Sequence, residues 1–200
     1  MGASRATPTA ASSAWANETA VSKRTHVALL RAINVGGRNA LPMKDLAALC
    51  EAAGCRDVVT YIQSGNVAFG ATAALAKKLP AALEAAIRAR AGIDVPVIVR
   101  DAAALAAVAC GNPFLAEGVD AAELHVGFLA ATPTAARIAA LDGQRSPPDA
   151  FVVRGREIFF RFPKGVGKTK LSVTYFDAKL GTTITLRNWR TLGALLELVA

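Results

Sequence analysis

Apolar runs and helical periodicities follow one another in this chain in the order strand, helix, strand, strand, helix, strand, and then in that order again. Val27 to Leu30 form a short apolar run suited to a buried strand, and a helix is expected at about 43 to 53, where Leu46, Leu49, Cys50 and Ala53 recur at helical spacing between Pro42 and Gly54. Val58 to Ile62 and Val67 to Phe69 read as strands joined by the turn Ser64-Gly65-Asn66. An alanine-rich helix over 73 to 91 carries Leu75, Leu79, Leu83 and Ile87 on one face and ends at Gly92; Pro80 is expected to kink or split it. Val95 to Val99 close the unit. This order is the ferredoxin-like signature.

A linking helix near 102 to 109 precedes the second pass, which opens with His125-Val126-Gly127-Phe128-Leu129, an echo of His26-Val27-Ala28-Leu29-Leu30. A helix opened by Thr132-Pro133 and ending near Gly143, strands at 150 to 154 and 157 to 162, a helix at about 170 to 180 stopped by Gly181, and a strand at Thr183 to Leu186 complete it. Asn188 then caps a terminal helix with Leu192, Leu195, Leu196 and Val199 on one face. The expected class is α+β: two ferredoxin-like lobes in tandem, 25 to 110 with the linking helix and 111 to 200 with a C-terminal helix. Because Val27 to Leu30 are apolar on both faces, the second lobe is expected to cover the face that the helices of the first leave open.

Residues 1 to 24 are rich in Ala, Ser and Thr without periodicity and read as a disordered leader; they lack the apolar stretch of a secretory signal. Charges interrupt every long apolar run, and nothing reaches the roughly 18 to 20 residues of a spanning helix, so a soluble, cytoplasmic protein without membrane contact is expected. Cys50, Cys55 and Cys110 form no C-x-x-C pair and read as buried structural thiols in a reducing compartment. His26 and His125 stand far apart at strand starts, where packing is their expected role, so neither a metal nor a cofactor is expected. The net charge of +8 is local: residues 154 to 190 hold nine cations against Glu157 and Asp177, whereas 101 to 150 are acidic.

The candidate binding residues gather at turns. Arg31, Asn34, Gly36, Gly37, Arg38 and Asn39 lie in a loop between strand and helix, where glycine permits unusual backbone and arginine and asparagine offer donors to carboxylate or phosphate. A turn whose asparagines bond local backbone is the plain alternative. Ser64 and Asn66 lie in the first hairpin, which is expected at the sheet end opposite the exit of the first strand. Ser64 lacks the G-x-S-x-G context of a hydrolase nucleophile. Lys168, Thr169 and Lys170 follow Pro163-Lys164-Gly165-Val166-Gly167, a basic turn that is no Walker motif, since Phe162 stands where its first glycine belongs. Asn188 is expected to cap and Trp189 to pack, which leaves Arg187 freer to act. Between Arg154 and Phe162 the basic, aromatic strand does not match the aromatic positions of an RNA-recognition motif; alternation sends Ile158, Phe160 and Phe162 to one face and Phe159 and Arg161 to the other.

The segments Leu29 to Gly37, Thr60 to Asn66, Asn112-Pro113-Phe114 and Thr185 to Trp189 together resemble the bacterial family called domain of unknown function 1697, over residues 25 to 200. The resemblance implies a compact α+β protein and no established activity. Ala32 stands where that family commonly has glycine, and Lys168-Thr169-Lys170 where arginine-serine-lysine is frequent. The leading expectation is a module that binds an anion, a phosphorylated metabolite or a nucleic-acid backbone, through Arg31, Arg38, Lys168, Lys170 and Arg187. The alternatives are an enzyme in which Arg31, Asn34 and Ser64 orient a small polar substrate, with no catalytic residue assigned, and a purely structural role for the motifs. Oligomeric state is open.

Overall fold

The computed structural model describes residues 24–37 and 39–200, so Arg38 and, apart from Arg24, the expected leader lie outside the described residues. The first half of the chain runs β1 (His26–Leu30), α1 (Met43–Ala52), β2 (Arg56–Tyr61), β3 (Asn66–Gly70), α2 (Ala73–Ala91), β4 (Val97–Asp101) and α3 (Ala102–Cys110). The second runs β5 (Leu124–Leu129), α4 (Ala135–Ala139), β6 (Ala150–Arg154), β7 (Glu157–Arg161), α5 (Val173–Leu180), β8 (Ile184–Asn188) and α6 (Trp189–Val199). The strands form two four-stranded antiparallel sheets in the orders β2-β3-β1-β4 and β6-β7-β5-β8.

Local chemistry accounts for most boundaries. The hydroxyl of Thr72 accepts from the Leu75 amide (3.3 Å) at the start of α2, and Gly92, at φ +68°, ends it. Pro80 does not split this helix: Ala76, Leu79, Leu83 and Ile87 keep one buried stripe running through it against the sheet. β4 begins two residues later than expected, because Pro96 has no N–H for a ladder, while the Val97 amide donates to Glu84 Oε1 at 2.9 Å. α4 is a five-residue remnant of the helix expected from Thr132 to Gly143; none of its residues is fully buried, and only Ile138 and, beyond its end, Leu141 pack on the outer core. Asn188 caps α6 by accepting from the Thr191 amide at 2.8 Å.

Packing is in three layers. Ala28 and Leu30 of β1 face α1 and α2, while Val27 and Leu29 face a central layer shared with Val126, Phe128 and Phe159 of the other sheet and with Leu105, Leu192 and Leu195 of α3 and α6. The apolar character of β1 on both faces is thus explained by the second sheet. Ile158, Phe160 and Phe162 join Phe176 and Leu180 in the outer core of the second half, and Phe159 faces inward, so both faces of β7 are buried. Cys50 and Cys55 are buried as expected, but Cys110, at the end of α3, is exposed because the apolar face of that helix is carried by Leu105 and Val108.

The halves repeat in register. Val27 is paired with Arg100 and His26 with Asp101 in one sheet, Val126 with Arg187 and His125 with Asn188 in the other. The β2–β3 hairpin lies at the exit of β1 and not at the far end: antiparallel pairing sets Leu29 opposite Asn66, and the Leu30 amide donates to Gly65 O at 2.8 Å. Its counterpart in the second half is the Leu129 amide donating to Arg156 O, also 2.8 Å.

Candidate functional site

That placement of the hairpin builds a cleft of about 390 Å³ where the exit of β1 meets β8, lined among others by Arg31, Ala32, Val35, Ile62, Ser64 and Arg187. Val173 opens α5 at its edge, and Asn188 and Thr191 open α6. Among the described residues, Arg31 and Arg187 are the only charged ones in the lining.

Arg187 is buried, against the expectation that it is free to act. Its fork is fully engaged: Nη2 donates to Leu30 O (2.7 Å), Gly65 O (3.2 Å) and Ser64 O (3.3 Å), Nη1 to Leu186 O and Thr185 Oγ1 (both 2.9 Å), and Nε to Asn66 Oδ1. No carboxylate pairs with it among the described residues, and burial alone pulls its pKa down to about 10. Asn66, wholly buried, spends its amide on Tyr61 O (3.2 Å) and Ser64 Oγ (3.0 Å). Ser64 Oγ therefore receives a hydrogen bond and keeps its own proton for another acceptor.

Arg31 is half-buried and donates through Nη1 to Asp177 of α5, whose other oxygen accepts from the Ile184 amide at 2.9 Å. Its Nε and Nη2 have no protein partner among the described residues. The remaining loop residues are held inward. Asn34, at φ +55°, donates to Leu41 O (2.8 Å) and Gln63 O (2.9 Å) and accepts from the Leu41 amide (2.8 Å), while Asn39, at φ +51°, donates to Ala32 O at 3.0 Å. Gly36 and Gly37 are exposed at φ +60° and +72°, and an added Cβ would touch nothing, so turn geometry alone requires them. Ala32, at φ +53°, sits where glycine would be relaxed.

The basic turn of the second half is elsewhere. Lys168 and Lys170 are exposed, Thr169 Oγ1 accepts from the Leu171 amide (3.0 Å), the Lys170 amide donates to Ser146 Oγ (3.0 Å), and none of the three lines the cleft. Of the expected residues, then, Arg31, Ser64 and Arg187 meet in the cleft, with Asn66 bonded directly behind it. Asp177 and Thr185 were not anticipated. Arg100 was not anticipated either, although Val99-Arg100-Asp101 echoes Leu186-Arg187-Asn188 at the matching strand-to-helix junction.

Two four-stranded antiparallel sheets with helices outside and between them, and a cleft above a buried arginine where β1 meets β8, define a mixed α+β protein. The chain belongs to the family described as "Protein of unknown function (DUF1697)", which matches residues 24–159 and so spans the loop at Arg31, the hairpin at Ser64 and Asn112-Pro113-Phe114. The fold is similar to that in "The structure of conserved bacterial protein SP0830 from Streptococcus pneumoniae", with a TM-score of 0.63 and 21% identity over 88% of this chain and 99% of that one. Comparison with curated proteins gives no match. Among the described residues no helix is long and apolar enough to cross a membrane.

Proposed function

We propose that the interlobe cleft binds a small organic anion, with Arg31 and Ser64 donating to it in the field of Arg187. One observation carries this reading: Arg187 is a buried cation at the cleft with no protein carboxylate to offset it among the described residues. The open edge of the Arg31 guanidinium and the first turns of α5 and α6 add donors and partial positive charge of the kind anions use. Among the described residues no histidine, cysteine, aspartate or glutamate lines the cleft, which favours a binder over an acid-base enzyme. Within this reading each half is a ferredoxin-like lobe, 25 to 110 and 111 to 200, supported by the repeated strand order, and the protein works in the bacterial cytoplasm.

The test is a thermal-shift screen with nucleotides, phosphosugars and organic acids as sodium salts, against sodium chloride at matched ionic strength. A ligand that prefers the native state raises the melting temperature, and Arg31→Gln should remove the rise. No shift with any anion at millimolar concentration would sink the proposal. Exposed Lys164, Lys168 and Lys170 favour a second reading, a nucleic-acid backbone on the β7–α5 turn. Its mark would be micromolar, salt-sensitive fluorescence anisotropy with DNA or RNA that Lys168→Glu weakens.

A further inference from the structure

We infer that the ligand of the cleft is a small carboxylic acid with an apolar body, and not a phosphate; this rests on the anion-binding reading above and names the ligand class. The chain carries an internal comparison. Arg100 of β4 stands where Arg187 of β8 stands, donating through Nη2 to Leu129 O (2.7 Å) and Arg156 O (3.2 Å) and through Nη1 to Val99 O (3.1 Å). Each of these contacts has its counterpart around Arg187, in Leu30 O, Gly65 O and Leu186 O. One contact differs in charge: Arg100 Nε donates to the carboxylate of Glu157 at 2.9 Å, whereas Arg187 Nε donates to the neutral amide oxygen of Asn66. The first half thus lacks one carboxylate at a station that the second half fills from its own chain.

The charge count agrees with the comparison. Arg31 is offset by Asp177, so among the described residues one positive charge in the lining is left without a partner, and a carboxylate supplies one negative charge. A phosphate monoester carries about 1.5 to 2 near pH 7 and would leave an excess against apolar walls. Those walls are Ala32, Val35, Ile62, Val173 and Leu186. Val35 and Ile62 are 60% and 52% exposed, and Ile62 holds φ +48°, an unfavourable conformation for a β-branched residue, at the lip of the cleft. An acid with an apolar body would cover both while its carboxylate takes donors from Arg31 Nε, Arg31 Nη2 and Ser64 Oγ.

Isothermal titration calorimetry tests this with straight-chain acids from acetate to hexanoate and with alkyl phosphates of the same chain lengths, at constant ionic strength. Affinity for the acids should rise about fourfold per added methylene until the cleft is full, with each phosphate at least tenfold weaker than its matching acid. Phosphates binding as tightly as the acids would overturn this inference and leave the anion-binding reading standing; neither series binding would remove both. Asn66→Asp supplies the missing carboxylate from within and should abolish acid binding in a protein that still melts cooperatively; retained binding counts against the inference. Should that variant not fold, Val35→Ser with Ile62→Ser, at exposed positions, should flatten the chain-length dependence, and an unchanged slope would overturn the apolar half of the inference.

Discussion

Arg100 and Arg187 are counterparts that cross between the halves in opposite directions. Each sits in the last strand of its own sheet and donates to the carbonyl of the residue that ends the first strand of the other, Leu129 and Leu30 respectively, both at 2.7 Å. Burial lowers the pKa of both, an effect that the hydrogen bond and charge of Glu157 oppose at Arg100 and that nothing opposes at Arg187.

Removing either cation should therefore cost more than an ordinary core change. Arg187→Met takes from Ser64 O its donor and one donor each from Leu30 O and Gly65 O, which keep Thr185 Oγ1 and the Leu30 amide, and should lower unfolding free energy by about 3 to 5 kcal/mol. Arg100→Met should cost as much, and Glu157→Gln after it should recover part of the loss by removing a half-buried, unpaired carboxylate. Urea denaturation of the single and double variants reads both effects.

The glycines of the two turns should behave differently. A Cβ at Gly65 would lie 2.7 Å from Leu30 Cβ and 2.9 Å from Ile33 in addition to its φ of +75°, whereas at Gly37 only φ is at fault. Gly37→Ala is expected to cost about 1 to 2 kcal/mol and Gly65→Ala clearly more, since overpacking adds roughly 1 to 3. Thermal melts of the pair decide it.

Asn34 is expected to act on stability and not on ligand. Asn34→Ala deletes three hydrogen bonds that tie the loop to Leu41 and Gln63, a loss of about 2 to 3 kcal/mol. Its residual affinity for any cleft ligand, measured well below the melting temperature, should fall less than tenfold.

The cysteines make a pH prediction. Burial pushes the Cys50 thiol up to about 12 and the Cys55 thiol up to about 11. Native protein should therefore label at Cys110 alone, and at all three after denaturation, by mass spectrometry with iodoacetamide. Both folded pKa values exceed the unfolded ones, so their stabilising contribution is complete below the ordinary thiol range near 9 and is lost as pH rises toward 11 and 12. Cys50→Ala with Cys55→Ala should flatten the alkaline fall in stability.

Histidine makes the opposite one. Burial lowers the pKa of His125, whose Nδ1 has no partner among the described residues, and, more than Asp101 offsets it, that of His26. The unfolded chain takes up protons first, so the contribution is present above 6.5 and lost as pH falls through the lowered values. His125→Gln should reduce the difference in urea midpoint between pH 7 and pH 5.5.

The layered fold was legible because β1 betrays itself: four apolar residues in a row cannot all face one set of helices, and the second sheet covers Val27 and Leu29. The site was less legible for the same reason. Alternation in Ile184-Thr185-Leu186-Arg187 marks Thr185 and Arg187 as a polar face, which reads as solvent until another lobe is set against it. Gly36, Asn34 and Asn39 were conspicuous as ligand donors, yet each answers to the left-handed backbone or to a nearby carbonyl. Lys168 and Lys170 follow a strand as a phosphate loop would, but that strand is β7, and none of residues 163–170 lines the cleft. Pairing Arg31 with Asp177 needed a contact between residues 146 positions apart, which no local pattern contains.

The reciprocal arginines have a consequence for what a single chain gains by holding both halves. Two identical subunits about a dyad would be obliged to carry the same residue at both stations, so any change in one would be a change in two. A covalently joined pair is released from that obligation: Glu157 satisfies one guanidinium permanently while Asn66 leaves the other electrically open. The two halves consequently match in strand order and register and differ in charge at this one paired station.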